Sequence, residues 1–347
     1  MDKSSRHDDG SQLSLHAPKR FKTVLALGLF LIVLGFLLSL ALGSKWLTLQ
    51  ELADGLFHPE VDSYGANIVR KRVSRTVFSL LCGGALGVSG SLMQAVTRNP
   101  IADPSILGVN TGASLSVVCA VAFLGIQSPT QYITAALAGA AVTAVFVYAI
   151  GSAGRGGATP IKLVLAGAAT SAALSSLVSA VLIPRSFVMD MFRYWQVGSV
   201  GSANWSAVLI LLPFWAAGML IAVVSAPALN ALALGDEAAT GLGVRTGILR
   251  ATAAVGGVLL CGAVTALAGP IGFIGLLAPH LMRLVLGPNL LYLIPMSAIS
   301  GAVILTIADV AGRLLGSPTE LEVGVVTAFI GAPALIYIAI KSKVRTI

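Results

Sequence analysis

Long apolar runs broken by short polar connectors occupy almost the whole chain. At roughly 20 residues per crossing of the hydrocarbon core, they predict ten helical spans: 21–43, 73–97, 105–125, 131–151, 161–183, 205–226, 248–268, 273–286, 290–315 and 323–341. The eighth is too short to cross at full thickness and contains Pro279, His280 and Arg283. It is expected to be a broken or tilted helix held among its neighbours. Residues 1–20 carry mixed charge and no apolar run, which predicts a mobile polar tail. The first apolar run is too long for a signal-peptide core and lacks a small-residue cleavage site, so it is read as an uncleaved span. The fold class that follows is an all-α integral membrane protein of about ten transmembrane helices, with one membrane domain over residues 21–347.

Composition strengthens this picture. Hydrophobic residues make up 56% and charged residues 10%, and mean hydropathy is +0.91. A soluble domain carries about a quarter charged residues, so lipid is the main solvent. Charge then sets orientation, because Lys and Arg collect in cytoplasmic connectors. With both termini inside, Lys3, Arg6, Lys19, Arg20, Lys22, Arg98, Arg155, Lys162, Arg245, Arg250, Arg283, Lys341, Lys343 and Arg345 are cytoplasmic. Lys45, Arg70, Lys71, Arg72, Arg75, Arg185, Arg193 and Arg313 lie outside. The inward excess supports cytoplasmic termini, and the net charge of +8 is a sidedness signal that does not call for nucleic acid. Cys82, Cys119 and Cys261 sit singly in apolar stretches, with no spacing of a zinc site or disulfide framework.

Three polar features stand out against the apolar pattern. Arg70, Lys71, Arg72 and Arg75 crowd an outer connector where the sidedness rule disfavours them; an acidic protein partner or lipid phosphates would each suit them. Residues 226–250 form the longest internal cytoplasmic connector, and over Leu234 to Val244 it reads as one or two short helices broken at Gly241 and Gly243. Asp236 and Glu237 fall in the first helical turn, where the dipole favours acids. Such a segment is either a compact knob for a groove on another protein or an amphipathic loop on the membrane surface. Finally, Gly83 with Gly87 and Gly108 with Gly112 have the GxxxG spacing of close helix approach. Between these pairs, residues 98–104 contain two prolines and predict a sharp cytoplasmic turn, either a gate or a simple stop.

These motifs also carry a family resemblance. Arg72-Val-Ser-Arg75, Gly90-Ser-Leu-Met-Gln94, Arg98-Asn-Pro-Ile-Ala-Asp-Pro104 and Leu107-Gly-Val-Asn-Thr-Gly-Ala113 resemble the FecCD-like permeases of type II iron-complex importers, which carry ferric siderophores, haem or cobalamin. Gly272-Phe-Ile-Gly-Leu-Leu-Ala-Pro-His-Leu-Met-Arg283, Glu320-Leu-Glu-Val-Gly324 and Gly331-Ala-Pro333 agree, so the likeness extends from about residue 21 to 341. Val73-Ser74 departs from it where relatives often have proline, leaving the start of that helix open.

The resemblance implies a permease paired with a second copy or paralogue, two cytoplasmic ATPase subunits and an extracytoplasmic substrate-binding protein. Arg72, Arg75 and Arg313 would receive that protein's glutamates. Leu234, Gly235, Asp236, Glu237, Ala238, Gly241, Leu242, Gly243, Val244 and Arg245 would couple to the ATPase, and Asn99 with Ile101 would narrow the cytoplasmic exit. Thr170, Ser171, Ser175, Ser176, Ser179 and Thr327 would line the pathway, unless these hydroxyls bond back to their own helices. No catalytic residue, metal or cofactor is expected on this chain; ATP and Mg would sit on the ATPase, since no GxxxxGK[ST] loop occurs here. Ferric siderophore ranks first as cargo, ahead of haem and cobalamin. A rival reading is an ion-driven secondary transporter using Asp309, the one acid clearly inside a predicted span, although Arg313 four residues on suggests a local pair. An intramembrane hydrolase using His280 lacks any nucleophile motif to go with it.

Overall fold

The computed structural model describes residues 9–154 and 159–341. Lys3, Arg6, Arg155, Lys343 and Arg345 of the orientation argument lie outside the described residues, as do the first eight residues of the predicted tail. Among the described residues there are thirteen α-helices. They are α1 (Asp9–Ala41), α2 (Leu49–Phe57), α3 (Tyr64–Thr97), α4 (Val109–Leu124), α5 (Pro129–Ser152), α6 (Pro160–Leu182), α7 (Ser186–Gln196), α8 (Trp205–Leu232), α9 (Asp236–Gly241), α10 (Thr246–Ala268), α11 (Ile274–Leu286), α12 (Leu290–Leu315) and α13 (Val323–Lys341). A 3-10 turn over Pro104–Leu107 precedes α4. Seven helices (α1, α3, α5, α6, α8, α10, α12) are long and apolar enough to cross a membrane, and α4, α11 and α13 are shorter apolar helices. Each predicted apolar stretch falls on one of these ten.

Helix α3 is the hub, packed on by α12, α10, α11 and α8. Its glycines explain how. A side-chain carbon at Gly83 would be driven into the Gly301 carbonyl of α12, and one at Gly87 into the Ser297 carbonyl. Glycine removes that carbon and lets the two backbones touch, as its spacing predicts. At the other extreme, α6 is the least enclosed of the long helices, with one broad side open to whatever packs against this chain.

Several boundaries differ from the sequence reading, each for a local reason. Helix α3 begins at Tyr64, nine residues before the predicted span, so Arg70 to Arg75 ride on its first turns and do not form a connector. Ser63 caps it by accepting a hydrogen bond from the Ala66 N–H at 3.2 Å; hydropathy alone stops at the charges. Helical backbone covers residues 9–20, the described part of the predicted tail, because extending an existing helix costs far less than nucleating one. Helix α11 runs unbroken through Pro279. At 13 residues it is about 20 Å long, and its first half is buried among its neighbours.

Three short helices, α2, α7 and α9, lie outside the apolar stretches. Helix α2 starts on a capping box, with Thr48 and Glu51 satisfying each other's backbone N–H groups. The Thr48 N–H, helped by Lys45, holds the Glu51 carboxyl below the usual carboxylate range. Arg70 closes the other end by donating to the carbonyls of His58, Pro59 and Val61 at 2.9–3.1 Å.

Candidate functional site

At the end of the bundle that holds α2 and α7, three arginines converge. The last carbonyls of α1 have no partner within their own helix. Arg72 donates to Leu40 O at 2.7 Å, Ala41 O at 3.3 Å and Lys45 O at 2.8 Å. Arg313 donates to Ser39 O at 3.0 Å, Leu42 O at 3.2 Å and Ser39 Oγ at 2.7 Å. Two cations thus cap α1 where its dipole is negative. Both are internal, at 6% and 1% exposure, so in the isolated chain neither offers its guanidinium to the surface.

Arg75 is placed differently. Its Nε and Nη2 reach Asp309 Oδ1 at 3.1 and 2.7 Å, and its Nη1 reaches Glu320 Oε2 at 2.6 Å. Glu320 is an exposed residue, so this arginine alone of the three connects the buried cluster to the surface. Asp309 pairs in addition with Arg313 at 3.2 Å. The local pair expected four residues apart is present, and Arg75 makes it a triad joining α3 to α12.

The opposite end carries the predicted turn and knob. Arg98 sits in the left-handed region at φ 48° as the C-cap of α3. The Arg98 and Asn99 N–H groups donate to Ala95 O at 3.3 Å and Gln94 O at 3.1 Å, a Schellman ending usually built on glycine. Asn99 Oδ1 then accepts from the Ile101 N–H at 3.1 Å, and Ile101 projects at 66% exposure. Helix α9 forms the knob. Gly235 (φ 113°) and Gly243 (φ 82°) supply the bends on either side, and Ala239 anchors it inward. Glu237, Ala238, Gly241, Gly243 and Arg245 are exposed and Val244 is half-buried. Leu234 at 71% and Leu242 at 65% stand out as apolar side chains with nothing to pack on. Asp236 is half-exposed but not unpartnered. Its carboxylate pairs with Arg98 and, at 2.7 Å, with Arg250 of α10.

The predicted lining residues divide between the open side of α6 and the interior. Ser175, Ser176 and Ser179 are exposed, Ser171 is half-buried, and Thr170 and Thr327 are buried. Back-bonding holds for Ser176, Ser179 and Thr327, which donate to Ala172 O, Ser175 O and Gly324 O at 3.0–3.1 Å. Ser171 instead accepts from Thr111 at 3.3 Å, which pins α6 to α4. Beside α13 a shallow apolar groove is lined by Val197, Val325, Phe329 and Pro333.

Comparison with known proteins shows the family. Residues 31–341 match the model of the FecCD transport family. The chain belongs to the FecCD transport family. It is 40% identical to the Fe(3+)-citrate import system permease protein YfmD of Bacillus subtilis (strain 168), over 92% of this chain and 94% of that one. It is 40% identical to the ferric enterobactin transport system permease protein FepD of Escherichia coli (strain K12), over 91% and 94%. A solved inward-facing ABC transporter of metal-chelate type superposes with a TM-score of 0.81 at 27% identity, covering 92% of this chain and 99% of that one. This FecCD chain is accordingly a multi-pass membrane permease. Sequence reasoning missed one site residue, the Glu320 partner of Arg75, and, for the predicted Asp236, its bond to Arg98. Their partners lie 245 and 138 positions away, a separation that no local pattern reports.

Proposed function

We propose that this chain is the ten-span permease of an ATP-driven importer that moves a ferric siderophore across the cytoplasmic membrane by alternating access. Both termini are cytoplasmic. It works with a second copy or a paralogue, two cytoplasmic ATPase subunits that hold the ATP and Mg, and an extracytoplasmic substrate-binding protein; it binds no cofactor itself. The cargo class rests on the relatives, whose names specify ferric citrate and ferric enterobactin. Haem and cobalamin rank behind it.

One observation above all supports this reading: a glycine-bracketed knob holding exposed Leu234 and Leu242 beyond the apolar helices. Gly241, inside the knob, has open space where a side chain would point. Such a surface is costly in water unless another protein covers it. In the transport cycle the ATPase pair closes on ATP, the knob moves with it, and the helices lining the path switch between two packings. At the outer end, Arg75 and Glu320 form the charged rim for the binding protein, with Arg72 and Arg313 stiffening α1 beneath it. The ion-driven alternative through Asp309 is not favoured, because that carboxylate is committed to two arginines. Replacing Leu242 with arginine is expected to prevent co-purification of the ATPase while leaving the permease folded. ATPase retained at the wild-type ratio would count against the proposed coupling surface.

A further inference from the structure

The turn proposed to narrow the exit and the knob proposed to meet the ATPase are joined by one side chain. Arg98 closes α3 immediately before Asn99 and Ile101. Asp236 opens α9 immediately after the Gly235 bend. One oxygen of the Asp236 carboxylate, Oδ1, accepts from both Arg98 and Arg250, the latter near the start of α10. We infer that Asp236 is a positioning residue that ties movement of the knob to movement of the exit turn, through Arg98. The inference rests on the proposed function, since it assigns the route by which the ATPase stroke reaches the gate.

The chemistry of the three residues fits a link between moving parts. Arg250 is buried at 4% exposure and belongs to α10, which packs on α3, so it gives Asp236 a fixed base. Arg98 is partly exposed, with 30% of its side chain accessible, and it sits on a turn, so it is the member free to follow. Its backbone also argues for a role beyond folding. A left-handed C-cap favours glycine, yet arginine occupies it here. Beyond the backbone bonds that close the cap, its side chain reaches across to α9. Glu237 is exposed beside Asp236 and has no part in the link.

Arg98→Gly separates this reading from a structural one, because glycine relieves the left-handed backbone while cutting the tether. The full complex of permease, ATPase and binding protein is placed in proteoliposomes. Ferric siderophore uptake and ATP hydrolysis are then measured on the same preparation. Wild type is expected to take up the chelate in an ATP-dependent way. Arg98→Gly is expected to remain at least as heat-stable as wild type and to continue hydrolysis, while uptake per ATP falls fivefold or more. Asp236→Asn is expected to lose coupling similarly, and Asp236→Glu to restore at least half of it. Wild-type uptake per ATP in Arg98→Gly would overturn the inference and leave the proposed function standing. So would loss of heat stability in step with uptake in both Arg98→Gly and Asp236→Asn. Absence of ATP-dependent uptake in wild type would instead overturn the proposed function.

Discussion

Gly87→Leu is expected to abolish assembly of the helix bundle, and even Gly87→Ala to destabilise it by about 1–3 kcal/mol, the usual cost of overpacking a filled core. The new carbon would meet the Ser297 backbone of α12. A backbone carbonyl cannot rotate aside as a side chain can, so α3 and α12 would have to separate along their whole contact. That contact is the most extensive between any two helices in the described residues, which is why one methyl group reaches so far. Gly247→Ala is the control, since a side chain there meets nothing and the backbone is ordinary. Thermal unfolding in mild detergent, followed by tryptophan fluorescence, distinguishes the two. Equal midpoints for Gly87→Ala and Gly247→Ala would show that the close approach carries no weight.

The second large effect is expected at Asp309. Its carboxylate is 2% exposed and answers both Arg75 and Arg313. Removing one member of a buried ion pair strands the other charge at a cost of about 3–5 kcal/mol; Asp309→Asn would strand Arg313, while Arg75 keeps Glu320. The variant should lose heat stability and permease assembly together, and a second change of Arg313→Gln should recover part of both. If Asp309→Asn instead assembled normally and failed only in transport, the carboxylate would be acting as a proton site, and the ion-driven reading would return. Arg313→Ala is expected to weaken the fold as well, because it uncaps α1. Any loss of binding-protein docking in that variant must therefore be weighed against its stability.

What the sequence made legible was whatever repeats at short range. Runs of about 20 apolar residues located the ten apolar helices, and the spacing of Gly83 and Gly87 announced a close helix approach, though not that α12 is the partner. Gly241 and Gly243 announced a glycine break in the knob, where the structure makes one helix through Gly241 and puts the bends at Gly235 and Gly243. Two kinds of feature escaped. Short amphipathic helices such as α2 and α7 leave no trace in an average over a span's length. Partnerships of charged side chains depend on topology; Arg72 looks like a surface charge in a basic run, and only the fold brings α1's carbonyls to it. The same holds for Asp236, whose place in a first helical turn hid an inward bond to α3. Charge in an apolar chain was a sound signal of importance, but its sequence neighbours did not reveal its partner.

The most direct test of the central claim is radioiron uptake into proteoliposomes. They would contain the full-length permease and its binding protein, loaded with a ferric siderophore, with and without the ATPase subunits. The account predicts accumulation only when the ATPase and internal ATP are both present, and no response to an imposed proton or sodium gradient. Full-rate uptake on an ion gradient alone, with no ATPase in the membrane, would contradict it.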